Sequence, residues 1–383
     1  MLIETTEALA AFCDKLALEP YCTVDTEFVR DKTYYSQLCL VQLAGKAGAV
    51  AVDPLAPGID LQPLFDLMNN EKVLKVFHAA RQDLEIFFLL MGRMPAPLWD
   101  SQVAAMVCGF GESASYETLA TKLAGARIDK SSRFTDWSRR PLTQKQSDYA
   151  ISDVTHLRTI YELLSARIAE AGRGEWVAEE LAHLTDPSTY RSDPDRAWMR
   201  LKPRTSSPKF LSILKELAAW REVEAQKRNL PRQRILKDDA LLEIAAQAPA
   251  SADDLANSRA VGKGFLEGSL GEGFMAAVQR GRATPNNQAP TLPERPELPP
   301  GRAPLVDLLK VLLKLKCEAN DVAQKLIATA DDLNLLAMDD APADLPCLNG
   351  WRKVVFGDDA LALKSGKMAL TARNGAIDVV KLG

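Results

Sequence analysis

The chain has 383 residues, 47% hydrophobic and 26% charged, which at ~150 residues per domain suggests two or three domains. That globular composition excludes a chain disordered throughout, and no apolar run approaches the ~20 residues that cross a bilayer. The net charge of −4 is uneven, with net −5 over residues 1–170 and net +5 over residues 191–285, and a basic middle in an acidic chain points to a polyanionic partner.

The start, MLIETTEALAAFCDKL, carries acids early and has no basic region before an apolar core. This argues against a secretory signal and makes the cytoplasm the expected location. Six cysteines are scattered with no C-x-x-C pair, and there are three histidines. The cysteines are expected to be reduced and mostly buried, and structural zinc is not expected.

In chain order, YCTVDTEFV (21–29), SQLCLVQLA (36–44) and GAVAVDP (48–54) read as strands, with alternating or β-branched residues between Gly and Pro breaks. Residues 61–70 read as a helix and VLKVFHA (73–79) as another strand. From Ala79 to Leu90 the spacing turns helical, with Leu84, Phe87, Phe88 and Met91 at i, i+3, i+4 and i+7. Residues 99–170 read as mainly helical around a polar loop at 125–140. Strands first, then strands alternating with helices, predict an α/β domain with a mixed sheet.

Residues 186–208 are rich in Pro, Ser, Asp and Arg and read as a connector. Helices are predicted at 212–229, 239–248 and 252–260, short enough with short loops for a small all-α bundle. GRATPNNQAPTLPERPELPPGRAP (281–304) holds seven prolines and reads as a semi-rigid linker. A second helical unit opens with LVDLLKVLLKLKCEAND (305–321) and AQKLIATADDLNLLA (323–337).

Three features carry chemistry. Asp25 and Glu27 sit two apart on a predicted strand, so both carboxylates share one face. Such a pair repels itself unless a cation lies between, and an oxygen-only set suits Mg²⁺ or Mn²⁺. Tyr149 and Asp153 sit four apart on a predicted helix and share its face. Asp83 lies in the first turns of the helix that follows the 73–79 strand.

D-x-E on a strand, a lone Asp on a helix and Y-x-x-x-D on a later helix resemble, in order and spacing, the tyrosine-bearing branch of the DEDD superfamily of 3′→5′ exonucleases. Longer runs are similar to the ribonuclease D family: Asp25-Thr-Glu-Phe-Val-Arg-Asp-Lys-Thr-Tyr-Tyr-Ser-Gln-Leu, His78-Ala-Ala-Arg-Gln-Asp-Leu-Glu and Asp136-Trp-Ser-Arg-Arg-Pro-Leu-Thr. The segment around Trp220-Arg221-Glu222 and Pro231-Arg232 resembles the HRDC domain, and Gly350-Trp-Arg-Lys-Val-Val-Phe-Gly resembles the end of a second such module.

The resemblance implies a fold and a division. The fold is an α/β exonuclease domain, with a ribonuclease H-like mixed sheet flanked by helices, followed by two small all-α HRDC-type bundles. The division is 1–170 exonuclease domain, 171–207 connector, 208–284 first HRDC domain, 285–304 Pro-rich linker and 305–383 second, divergent HRDC-like domain.

It also implies a two-metal 3′→5′ exoribonuclease that uses Mg²⁺ or Mn²⁺, releases 5′-mononucleotides and matures the 3′ ends of tRNA precursors, as a monomer without membrane attachment. Asp25 would bridge two metals, Glu27 and Asp153 would hold the one that activates water, Asp83 would support the second, and Tyr149 would orient the water. Thr26, Phe28, His78, Arg133, Arg139 and Arg140 are expected near the substrate, with Lys130 in the same basic loop. Lys227, Arg228, Arg232, Arg234 and Lys237 are expected to bind RNA phosphates without reading sequence. Two alternatives remain: a 3′→5′ exonuclease on DNA, since related proofreading domains use the same acids, and a catalytically silent nucleic-acid-binding scaffold, whose signature would be a lost acid. An enzyme acting on small phosphates would leave the helical modules without a purpose.

Overall fold

A computed structural model describes residues 1–382 apart from 134, 204, 256–259, 262 and 293–297. The chain forms two compact units, one of residues 1–27, 39–186 and 295–383, the other of residues 28–38 and 187–294.

The first unit is built on a six-stranded sheet. Its elements are β1 (Leu2–Ile3), α1 (Thr6–Leu16), β2 (Tyr21–Val29), β3 (Gln37–Gly45), β4 (Gly48–Val52), α2 (Gln62–Asn69), β5 (Leu74–Phe77), α3 (Arg81–Met91) and β6 (Leu98–Asp100). The strand order is β1-β4-β3-β2-β5-β6. β3 runs antiparallel to β4, while β1 with β4, β2 with β5 and β5 with β6 are parallel. β3 is buried from Leu38 to Gly45, as expected of an interior strand covered on both faces. The four predicted strands and the helices at 61–70 and 79–90 are present within a few residues. α1 and the short β1 and β6 are additions that the sequence reading did not include.

α4 (Ser101–Met106), α5 (Tyr116–Ala124), α6 (Gln144–Glu170) and α7 (Gly174–Thr185) follow. α6 has 27 residues, about 40 Å of helix at 1.5 Å per residue. It starts at a capping box of Thr143 and Gln146 and buries one stripe that runs from Gln146 through Ala150, Asp153, Val154, Leu157 and Ile160 to Leu164 and Ile168.

Residues of 295–383 share one apolar core with α4–α7. The Ala323 amide donates to the Met106 carbonyl at 2.8 Å and Arg173 to Val107 at 2.6 Å. Trp176 stacks on Trp351 with centroids 4.3 Å apart, and Arg352 donates to Glu179 and Glu180. The chain ends in a hairpin of Met368–Arg373 and Ala376–Lys381, which the all-helical expectation for 305–383 does not contain.

The second unit holds 3₁₀ turns at Pro187–Tyr190 and Pro194–Arg200 within the predicted connector, then α8 (Pro208–Arg228), α9 (Arg232–Ile235), α10 (Asp238–Gln247), α11 (Lys263–Leu266) and α12 (Ser269–Ala283). Close packing of α8 on α12 needs Gly281, where an added Cβ would lie 2.5 Å from the Ile213 Cα. Of the helix expected at 252–260, a 3₁₀ turn at Asp253–Leu255 is present and residues 256–259 lie outside the described residues. So do prolines 293 and 296 of the expected linker.

Candidate active site

Asp25 and Glu27 stand on β2, between β3 and β5. The Thr23 hydroxyl, buried two residues earlier, donates to the Val154 carbonyl at 2.8 Å. That bond pins α6 beside β2 next to Asp153. One oxygen from each of Asp25, Glu27 and Asp153 lies within 4.8 Å of the others. The strand that carries Asp25 and Glu27 on one face thus meets the helix that carries Asp153.

Asp83, 6% exposed, occupies the first turn of α3 and accepts a hydrogen bond from the Thr26 hydroxyl. The N-terminus of α3 is fixed in turn by Asp100. This buried carboxylate accepts from the Ala79 and Ala80 amides at 3.1 and 2.8 Å and from the Gln102 amide at 2.7 Å, holding Ala79 at φ 56°. A non-glycine residue in that region is uncommon and needs such support.

Burial raises all four carboxyls above their ordinary range. Asp25 is pushed up to about 7 by burial. Glu27 rises further through burial and then through the charges of Asp25, Asp153 and Asp83. Asp153 is pushed up to about 8 by burial and then by Asp25, and Asp83 is raised by burial and by Asp25. Carboxylates crowded in this way need a cation to be ionised together. One further observation points the same way: the Asp153 Oδ1 atom is buried and has no hydrogen-bond partner. An orphaned buried acceptor among three oxygen donors, with no His or Cys in the set, fits a hard divalent cation.

The Tyr149 phenol lies close to the Asp153 carboxylate, and its ring lies 6.1 Å from the buried Trp137 ring. Burial, and then the charges of Asp153 and Glu27, hold the phenol far above its usual value, so it stays protonated. Arg133 is exposed, and its charge lowers the Glu27 and Asp153 carboxyls, which places it beside the acids.

His78 lies one strand over. Its Nδ1 is 2.8 Å from the Ser101 hydroxyl and its ring meets Tyr116 edge-on at 5.5 Å. Burial lowers its pKa, with Asp100 opposing, so the imidazole is neutral at pH 7. Tyr116, which the sequence reading did not single out, donates to the Ser152 carbonyl at 2.8 Å, and its phenol is raised by burial and then by Asp153 and Asp25. Nothing in a lone aromatic at the start of a helix signals that placement.

The other residues expected near the substrate are placed as follows. The Thr26 hydroxyl is committed to Asp83. Phe28 belongs to the second unit. Arg139 is exposed and pairs with Asp136 at 3.3 Å. Arg140 is held inside the fold: its fork bonds the Asp53 carboxylate at 2.5 and 2.6 Å, and it also donates to the Cys39, Trp137 and Arg139 carbonyls. The Lys130 side chain lies outside the described residues.

In the second unit, Lys227, Arg228, Arg234 and Lys237 are exposed, with Arg228 paired to Glu224 at 2.8 Å. Arg232 is bound to the buried Glu222 and lies over the Tyr34 ring at 4.6 Å.

The chain matches the 3′-5′ exonuclease family over residues 1–169 and the HRDC domain family over residues 210–278. It is 54% identical to ribonuclease D of Gluconacetobacter diazotrophicus over 97% of this chain and 94% of that one. It is 53% identical to ribonuclease D of Acidiphilium cryptum over 100% of this chain and 97% of that one. Among solved structures it superposes on Escherichia coli RNase D, described as an exoribonuclease involved in structured RNA processing. The TM-score is 0.79 and the identity 27%, over 96% of this chain and 98% of that one.

Proposed function

The chain belongs to the ribonuclease D family of 3′→5′ exoribonucleases, and from that premise we propose that it trims tRNA precursors from the 3′ end with two divalent ions, Mg²⁺ or Mn²⁺, releasing 5′-mononucleotides. The observation that carries the reading is the meeting of Asp25, Glu27 and Asp153 within 4.8 Å, with the Tyr149 phenol beside Asp153.

Asp25, Glu27 and Asp153 would hold the ions, with Asp25 shared and Asp83 supporting the second. Two ions at such a site lower the pKa of the attacking water and offset charge on the phosphate oxygens. The chain's own groups do the rest. Thr26 fixes the Asp83 carboxylate, and Thr23 fixes α6 and so Asp153. The Tyr149 hydroxyl, kept protonated, orients the water through a hydrogen bond and is not its base. Arg133 offers a guanidinium to the scissile or adjoining phosphate. Neutral His78 can hydrogen-bond the terminal ribose. Exposed Lys227, Arg228, Arg234 and Lys237 supply salt-sensitive affinity for the backbone.

An exonuclease domain ending at 170 and a first HRDC domain at 208–284 are part of this reading, and the matches at 1–169 and 210–278 support them; residues 305–383, expected as a module of their own, group with the first unit. No helix among the described residues is long and apolar enough to cross a membrane; a cytoplasmic monomer is proposed. Presence of all four acids and Tyr149 argues against a silent scaffold.

The test is digestion of 5′-labelled RNA and DNA of one sequence in Mg²⁺, Mn²⁺ or EDTA. Stepwise metal-dependent shortening of RNA, with nucleoside 5′-monophosphates as products, is expected. Preference for DNA, or shortening in EDTA, would overturn the proposal.

A further inference from the structure

His78 and Ser101 are brought together by strand register. Phe77 on β5 pairs with Asp100 on β6, and His78 and Ser101 are the next residue along each strand. The Asp100 carboxylate accepts from the Ala79 and Ala80 amides and so closes the turn after His78 onto β6. Asp100 also caps α4, which puts Ser101 at the first position of that helix. The His78 Nδ1 and the Ser101 hydroxyl are then 2.8 Å apart.

Ser101 is fully buried, and this is its one side-chain hydrogen bond among the described residues. The burial selects which ring nitrogen carries the proton. A hydroxyl has one hydrogen to donate. A protonated Nδ1 would donate to Ser101 and leave the Ser101 O–H buried without an acceptor, which folded proteins rarely tolerate. With Nδ1 bare, the Ser101 hydroxyl donates to it and is satisfied. The neutral imidazole then carries its proton on Nε2. Nε2 has no hydrogen-bond partner among the described residues and, unlike the buried orphan oxygen of Asp153, it stays open to solvent.

Two contacts set the ring beside the acids. β2 and β5 are parallel with Thr23 opposite Val76, and two residues on, at positions of the same face, come Asp25 and His78. Tyr116 meets the ring edge-on at 5.5 Å and anchors its own hydroxyl on the carbonyl of Ser152, the residue before Asp153. We propose that Ser101 is a positioning residue: it fixes His78 as the Nε2–H tautomer, so that His78 donates a hydrogen bond to a ribose or phosphate oxygen of the 3′-terminal nucleotide. The proposal rests on the exoribonuclease reading above and adds to it which atom of His78 donates and what holds that atom in place.

The test uses the full chain labelled with ¹⁵N-histidine, in EDTA at mildly alkaline pH. His78→Ala identifies which of the three histidines gives which signal. Wild type should show His78 with a protonated Nε2 and a bare Nδ1, and the Nδ1 resonance should move in Ser101→Ala. The rate of RNA shortening is then measured in Mg²⁺ or Mn²⁺ for wild type, Ser101→Ala, His78→Ala and the double variant, with the fold of each checked by melting. Ser101→Ala should lower kcat/KM about tenfold in wild type and no further in His78→Ala, as expected of a residue that acts through another. A substrate ending in a 2′-deoxy residue should abolish the effect of His78→Ala if the acceptor is the 2′-hydroxyl; a persisting effect assigns another oxygen of that nucleotide. A protonated Nδ1 in wild type, or an effect of Ser101→Ala that adds in full to that of His78→Ala, would overturn the proposal and leave the hydrolytic reading standing. Wild type that shortens no RNA in either metal would overturn the hydrolytic reading and with it the role of His78 toward RNA, while the spectrum would still report the tautomer.

Discussion

The Thr26 hydroxyl donates to the Asp83 carboxylate, tying the strand that bears Asp25 and Glu27 to the helix that bears the fourth acid. Asp83 lies outside the group of three whose oxygens meet within 4.8 Å, and Thr26 sets its direction. Thr26→Val removes the donor and leaves a buried carboxylate short of a partner, at a cost of about 1–3 kcal/mol. It should lower kcat about 10²-fold with a smaller change in KM. Thr26→Ser should restore both the melting temperature and kcat. Equal kcat in Thr26→Val and wild type would remove Thr26 from the account.

Tyr149→Phe tests the phenol separately from the fold. The variant keeps the ring beside Trp137 and loses the hydroxyl that lies near Asp153. Its melting temperature should stay near that of wild type while kcat falls about 10²-fold. Because burial keeps the phenol protonated, the wild-type rate should show no titration of this group up to pH 9. A rate that fell with an apparent pKa near 8 in wild type and not in Tyr149→Phe would contradict this role.

The acids make a prediction about pH. Their folded pKa values stand above the unfolded values of about 4, with Asp25 near 7 and Asp153 near 8. Between those limits the folded state binds more protons than the unfolded one, so stability falls as pH rises. Metal-free protein in EDTA should gain melting temperature as pH is lowered from 8 to about 5.5. Excess Mg²⁺ or Mn²⁺ should raise the melting temperature most at pH 8, because metal and protons compete for the same oxygens. A metal-induced shift that grew toward pH 5.5 would be inconsistent with these shifts.

Arg140 separates a structural arginine from an RNA-binding one. Its partner Asp53 has a side chain 3% exposed. Arg140→Ala would leave that carboxylate buried and unpaired, costing about 3–5 kcal/mol. The double variant Asp53→Ala, Arg140→Ala should recover part of the loss. Arg133→Ala should instead raise KM for RNA. A melting temperature unchanged in Arg140→Ala would return Arg140 to the substrate surface.

Local pattern carried much of this architecture. Period 2 placed Asp25 and Glu27 on one face, and the i, i+4 step paired Tyr149 with Asp153, because both relations are set by backbone geometry alone. α1 was equally readable, with Leu9, Phe12, Cys13 and Leu16 buried behind a Thr5 cap, and so was the last hairpin, whose Asn374-Gly375 turn has both residues at positive φ and is a strong two-residue hairpin signal. The three-residue β6 offers too little pattern to read. The fates of Arg140 and Arg232 were not legible, because basic residues in a polar loop look alike until the fold supplies Asp53 or Glu222. Tyr116 gave no signal for the same reason: its neighbours are brought together by α3, α5 and α6 only in three dimensions.

Asp25, with Glu27 and Asp153, is proposed to form a divalent-metal site that hydrolyses RNA from its 3′ end. The most direct measurement is digestion of a 5′-labelled tRNA precursor with a 3′ trailer by wild type and Asp25→Asn, in Mg²⁺, Mn²⁺ or EDTA, with Mn²⁺ binding to both proteins measured alongside. The account predicts stepwise removal of the trailer by wild type in metal only, a loss of about 10²-fold or more in Asp25→Asn, and weaker Mn²⁺ binding by a variant that remains folded. Trailer removal by Asp25→Asn at the wild-type rate, or by wild type in EDTA, would contradict it.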